Sequence, residues 1–239
     1  MKVLDLSYHP LDVRSGRWLD LSRKGTHGTP HGGARPYMIA PGVMGYWFDG
    51  SSGYVAVPDS ASLNPTQYVT VRLWVCPKRL EGGVKQQLVL RHPGTWGTYI
   101  DGANIWFFVD TRNAGGSWEG VACTLPSVDR WYRMVGVYDG TSLYLYIGGE
   151  LKDTGPQSQA IDQAPAGEPL IIGRHPDVTT QHFKGIIAEL VIEKDRAWLP
   201  DEVREDYYRS PIYRMLRGLP YSVYIKVPWK QTQGGIYVP

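Results

Sequence analysis

The chain is poor in cysteine, with Cys76 and Cys123 the only two in 239 residues. A small fold knit by several disulfides is therefore excluded. Both thiols fall in strand-like runs, which leaves a single bridge or two small buried hydrophobes as readings. Long apolar runs are missing too. No window reaches the length of a membrane span, and the opening MKVLDLSYHPLDVRSG has no apolar stretch after Lys2, so no secretory leader is expected here. Charge of one sign is not in excess: a net charge of +2 does not point to nucleic acid. There is no P-loop, no dinucleotide glycine fingerprint, no nucleophile elbow and no internal repeat.

What is abundant is turn and strand chemistry. The 28 Gly, 18 Pro and 16 Tyr describe many turns joined by aromatic and β-branched runs, as in a sandwich or barrel. A chain of this length suits one large all-β domain. In Tyr68–Cys76, Val69, Val71, Leu73 and Val75 point one way and Thr70, Arg72, Trp74 and Cys76 the other, the pattern of a half-buried strand. Further strands are expected at Met1–Leu6, Tyr37–Ile39, Gly45–Phe48, Tyr54–Val57, Gln86–Arg91, Thr98–Ile100 and Ile105–Asp110. Others are expected at Gly120–Leu125, Trp131–Tyr138, Ser142–Ile147, Leu170–Ile172 and Gly185–Glu193. Asp139-Gly140-Thr141 is the strongest hairpin signal. Trp18–Pro36 reads as turn chemistry without strand or helix period. The one helix candidate is Pro200–Arg209, with proline in its first turn and Asp201 and Glu202 near the positive end of its dipole.

From Ser210 the composition changes. The segment to Pro239 carries Arg214, Arg217, Lys226 and Lys230 with no acidic residue, and is rich in aromatics: Tyr213, Tyr221, Tyr224, Trp229 and Tyr237. It either wraps the domain as a last strand or forms an arm that docks on a partner subunit or shell, by pairing with a sheet edge. Tyr213, Arg214, Arg217, Tyr221, Tyr224 and Trp229 are its candidate contact residues. A homo-oligomer is one such assembly, and four charges are too few for nucleic acid to be the expected partner.

In order along the chain, LDLSRKGTHGT (Leu19–Thr29), FDGSSGYVAVPDSASLNPTQYVTVRLWVCP (Phe48–Pro77), WYRMVGVYDGTSLYLYIGGEL (Trp131–Leu151), LIIGRHP (Leu170–Pro176) and FKGIIAELVIEKDRAWLPDEV (Phe183–Val203) resemble the motifs of laminin G-like, concanavalin A-like lectin/glucanase domains. The resemblance covers roughly residues 1–209. It implies an all-β jelly-roll sandwich of two antiparallel sheets, one short C-terminal helix, and residues 210–239 as a tail. It implies lectin-like, non-catalytic attachment to a glycan or a protein shell. Phage- and virus-borne members share the missing leader and the aromatic, basic tail, so the expected setting is a virion surface, as capsid decoration or adhesion protein, or another extracellular one. A glycan-processing enzyme and a cellular lectin module are the alternatives. The family often binds structural Ca²⁺. Gly53 and Gly149 stand where it carries acids, which leaves Asp20 and Asp49 as candidate ligands beside a turn-stabilising role. Leu199 replaces its helix-capping Ser.

Glu189 and Glu193 lie four apart on one strand and could flank a glycosidic bond. The glucanases' E-x-D-x-E strand has Val191 at its middle acid here, so catalysis is not expected. His27 and His31 are spaced like metal ligands without a completing set, and His27 matches the family's loop histidine, which suggests a structural hydrogen bond. For sugar binding, Trp96–Trp118 supplies rings and polar groups: Trp96, Asp101, Asp110, Arg112, Asn113 and Trp118. Trp106, within IWFFV, is expected in the core, and Trp96 and Trp118, among glycines, are expected to be exposed. His175, Asp177 and His182 form a second candidate surface.

Overall fold

A computed structural model of the chain describes residues 1–7, 16–220, 230–231 and 237–238. Its strands are β1 (Lys2–Leu6), β2 (Thr29–His31), β3 (Arg35–Ala40), β4 (Val43–Asp49), β5 (Tyr54–Val57), β6 (Val69–Pro77), β7 (Lys85–Arg91) and β8 (Trp96–Asp101). There follow β9 (Asn104–Asp110), β10 (Trp118–Thr124), β11 (Tyr132–Tyr138), β12 (Ser142–Ile147), β13 (Glu150–Pro156), β14 (Leu170–Ile172) and β15 (Lys184–Lys194). Two helices follow, α1 (Pro200–Arg209) and α2 (Pro211–Leu216), and a two-stranded pair, β16 (Lys230–Gln231) with β17 (Tyr237–Val238), comes last. The first sheet has the order β13-β12-β11-β6-β15-β4-β3, with β1 also paired to β15; the second runs β10-β9-β8-β7-β14-β5-β2. All the pairings are antiparallel.

The alternation of β6 explains the sandwich. Val69, Val71, Leu73 and Val75 enter the core between the sheets, where they join Val89, Ile100, Phe107 and Ile192. The opposite face of β6 is not half-exposed, as alternation alone suggested. Trp74 is buried as well, because α1 and α2 close over it, and Cys76 further along the strand is also buried. Asp139-Gly140-Thr141 makes the expected β11–β12 turn, with Gly140 at φ +83° and Asp139 Oδ1 accepting the Thr141 and Ser142 N–H groups.

β15 is the longest strand and serves two partners on one side. Its first half pairs with β4 and its second with β1, and the handover coincides with a bulge between Ala188 and Val191. Glu189 sits in that bulge at φ +47°, a conformation that costs energy for a residue with a Cβ. Its buried carboxylate is anchored in return. Arg133, with no exposed side-chain surface, reaches Glu189 at 3.4 Å and Asp206 of α1 at 2.5 Å. Arg72 also pairs with Asp206, at 2.6 Å. Ser210 donates to Glu189, and Trp74 Nε1 donates to Ser210. Burial raises the Glu189 carboxyl above its ordinary pKa, against the opposing pull of Arg133.

Local sequence missed three elements. β2 forms inside the stretch read as turns because β5 supplies its ladder partner, which no local pattern shows. β13 is a polar, largely exposed edge strand. α2 begins where a tail was expected: Ser210 caps it through the Ile212 N–H, and Ile212 is fully buried beside Trp74 and Val43. At α1, the Leu199 N-cap has no side-chain oxygen, and Glu202 accepts the Leu199 N–H instead. Cys76 in the first sheet and Cys123 in the second are both free thiols.

Removing one partner of a buried ion pair leaves an uncompensated charge. Asp206→Ala is expected to lower stability by about 3 kcal/mol, read by urea denaturation at neutral pH. A loss no larger than that of a surface substitution would contradict the role given to this network.

Candidate functional site

The outer face of the second sheet is aromatic by register. On β9, Ile105, Phe107 and Val109 enter the core, while Trp106, Phe108 and Asp110 turn outward. Gly97 and Gly120 lie opposite Phe108 on the flanking strands and leave room for its ring; a Cβ on Gly97 would come within 3.0 Å of it. Trp118 stacks on Phe108 with centroids 5.1 Å apart, and Tyr99 stacks on Trp106 at 5.9 Å. Trp118 is 40% exposed.

Beside this row, at the Asp110 end of β9, lies a depression of about 440 Å³ lined by the 93–95 turn, Asp110, Arg112, Asn113, Asp162 and Gln163. Arg112 clamps Asp110 through Nε and Nη2, the latter at 2.6 Å, which leaves its Nη1 free of that carboxylate. Asp162 accepts the Asn113 N–H at 3.0 Å, and its own N–H donates to Asp110 O. Burial, and then the neighbouring Asp110 charge, raise the Asp162 carboxyl above its ordinary value. Thr95 is 5% exposed, and its Oγ1 has no hydrogen-bond partner. The depression thus offers a carboxylate, an amide and a guanidinium N–H, with an indole nearby. That is a donor and acceptor set matched to a polyol with an apolar face.

Of the residues expected to bind sugar, Asp110, Arg112 and Asn113 meet in the depression, and Trp118 pairs directly with Asp110 across the ladder. Trp96 does not join them: it is fully buried, because the alternation of β8 turns it into the core opposite Val109. Trp106, expected in the core, is half-buried on the outer face for the same reason. Asp101 sits at the other end of the β8–β9 hairpin, opposite Asn104, about 20 Å of strand away. Asp162, Gln163 and Thr95 were missed. They stand in loops with only turn composition, and nothing local says which strand end they reach.

The calcium candidates are occupied by their own loops. Asp20 accepts the N–H groups of Asp5, Ser22 and Thr26 and the hydroxyls of Ser22 and Thr26, and His27 Nδ1 accepts the Asp20 N–H. Asp49 accepts the N–H groups of Ser51, Ser52 and Gly53 and two serine hydroxyls. Burial would raise the Asp49 carboxyl, but these donors hold it well below the usual range. Hydrogens converging on a carboxylate do not suit a cation, so these residues do not fit Ca²⁺. Among the described residues no cluster of three or more His, Cys, Asp or Glu could hold a metal ion. His31 stacks on Tyr54. Glu189 lies in the ionic network under α1, and Glu193, also buried, pairs with Arg196. In the tail, Tyr213 is half-buried against the first sheet, Arg217 lies over its ring, and Arg214 donates to Pro220 O. Tyr221, Tyr224 and Trp229 lie outside the described residues.

One histidine braces the depression. His92, next to Pro93 in its wall, meets Glu168 through Nδ1 at 2.6 Å and Asp177 through Nε2 at 2.8 Å. It joins the 91–95 turn to two other loops. Partial burial would lower its pKa; the two carboxylates outweigh that and raise it. His175 Nδ1 accepts the Asp177 N–H in the same loop.

The model of a family described as the concanavalin A-like lectin/glucanases superfamily matches residues 49–204. No curated protein matches the chain. Among solved structures, the binding domain of Paraclostridial Mosquitocidal Protein 1 is 17% identical with a TM-score of 0.70, covering 86% of this chain and 51% of that one. The binding domain of Botulinum neurotoxin serotype G is 16% identical, with a TM-score of 0.67 and coverages of 87% and 51%. The binding domain of Botulinum neurotoxin DC, solved in complex with rat synaptotagmin II, is 12% identical, with a TM-score of 0.67 and coverages of 86% and 51%. The chain therefore spans about half the length of each of these, and shares their fold.

A raised histidine pKa contributes stability that is full below the unfolded value of about 6.5 and is lost as pH rises through the folded value. The difference in melting temperature between the wild type and His92→Gln should thus be largest near pH 6 and close toward pH 9. A difference that stays constant over that range would sink the assignment of a charged His92.

Proposed function

The chain belongs to the concanavalin A-like lectin/glucanases superfamily, and we propose that it is a non-catalytic attachment module that binds a glycan at the depression beside Trp118. The observation that carries this is the pairing of an exposed indole with the polar side chains of Asp162, Asn113 and Arg112 at one strand end. A sugar presents an apolar face to the ring and hydroxyls to the polar set. That the structural neighbours are binding domains supports attachment as the function.

Turnover is not part of this reading. Asp110 and Asp162 share the depression, but Arg112 holds both oxygens of Asp110, and a glycosidase needs both carboxylates available. Glu189 is sealed under α1.

On a glycan array, Trp118→Ala and Asp162→Asn should each weaken the bound signal about tenfold or more, with melting temperatures close to wild type. An array on which the wild type binds nothing would refute a glycan ligand.

The finer setting we infer is a virion or other extracellular surface, as decoration or adhesion protein, with the segment beyond Pro220 as the docking arm to a partner subunit or shell. Exposed Leu216 and Leu219 stand where the chain leaves α2, which supports a docking role there. A chain ending at Pro220 is expected to keep glycan binding and lose assembly in size-exclusion chromatography with light scattering. Unchanged assembly would remove the arm.

A further inference from the structure

Away from the depression, at the Ile172 end of β14, two arginines and a histidine gather around one aromatic pair. Gly173, at φ +89°, turns the chain out of β14. Arg174 then lays its guanidinium 3.8 Å over the ring of Tyr54, which stacks in turn on His31 at 4.6 Å. Arg174 is bridged to His182 across the returning loop, and Arg79 Nη2 donates to His182 O at 2.7 Å. Among the described residues neither Arg79 nor Arg174 meets a carboxylate, whereas Arg72, Arg91 and Arg133 each do.

Two guanidinium N–H groups and one ring nitrogen in this cluster are also unsatisfied. Nε of Arg79, Nε of Arg174 and Nδ1 of His182 all lack hydrogen-bond partners, and His182 is only 6% exposed. Such groups are costly to leave unpaired. Asp49 is the carboxylate that acts on His182, and it is already saturated by its own turn. Burial first, and then the Arg174 charge, lower the His182 imidazole below its ordinary pKa, against the opposing pulls of Asp49 and the Gly53 backbone.

We propose that Arg174, Arg79 and His182 form a binding site for a tetrahedral oxyanion, the sulfate or phosphate ester of a glycan, distinct from the depression at Trp118. A planar guanidinium pinned on an aromatic face keeps its N–H fork oriented toward a ligand, which suits bidentate oxyanion binding. A neutral sugar offers no charge to this site. The Asp110–Arg112–Asp162 depression, with a net negative charge, would repel the anion.

The test is a titration of the full chain with sodium sulfate and with sodium phosphate, followed by thermal shift and backbone amide NMR, against sodium chloride at equal ionic strength. Saturable stabilisation by sulfate or phosphate, with shifts at Arg174 and His182, is expected. The double variant Arg79→Gln, Arg174→Gln should weaken it about tenfold or more. Arg174→Lys, which keeps the charge without the fork, should fall between, while Arg204→Gln on the exposed face of α1 should bind as wild type. If the double variant does not fold, Arg174→Lys alone carries the comparison. Sulfate acting no differently from chloride, or Arg174→Lys binding as tightly as wild type, would overturn the site. A sulfated and a phosphorylated monosaccharide, titrated in parallel, identify which ester is preferred. Trp118→Ala should leave sulfate binding intact, so failure of this site and failure of the glycan depression are separable.

Discussion

The ionic contact of Arg133 with Glu189 and Asp206 is the constraint on which the architecture turns. It joins three things that sequence alone leaves separate: the bulge of β15, the middle of the first sheet, and the helix that follows it. Because Glu189 holds the bulge open, β15 can give one half of its edge to β4 and the other to β1. Because Asp206 accepts both Arg133 and Arg72, α1 has a fixed place over β6 and β11. Ser210 then connects Glu189 to Trp74 and caps α2. A buried pair of this kind is weak evidence for net stability; what its geometry does is tie β15, β6, β11 and α1 to one another.

That closure divides the two sheets by task. The outer face of the first is covered by helices and charges that face inward to one another. The outer face of the second is held by aromatic rings that stack on each other, and its loops carry the unsatisfied polar groups. Both candidate sites therefore belong to the second sheet, at opposite ends of the three-residue strand β14. The loop returning from β14 runs between them, fastened to His92 at one end and carrying Arg174 and His182 at the other.

Much of the fold was legible because its signals are local. The alternation of β6, the Asp-Gly hairpin and the proline-started helix each need only a few neighbouring residues, and all three stand in the structure at nearly the expected bounds. β2 and α2 were not legible, since each exists through a distant surface: β5 for one, Trp74 and Val43 for the other. The candidate site was half legible. Asp110, Arg112 and Asn113 are consecutive or nearly so, and the turn that joins them also gathers them. Trp96 shows the opposite. Glycines beside a ring suggest exposure, yet the parity of β8 is set by its partners and puts that ring in the core. Thr95 and Asp162 come together only through the crossing of two loops far apart in sequence.

The sandwich holds no covalent cross-link between Cys76 and Cys123, and burial raises both thiols above their ordinary pKa. Little thiolate is present at neutral pH, so neither residue is an efficient nucleophile toward a disulfide reagent. Its stability rests on packing and ion pairs, which a reductant does not touch. The protein should fold equally well at the glutathione poise of a cytosol and in an oxidising medium, and could cross from one to the other without remodelling.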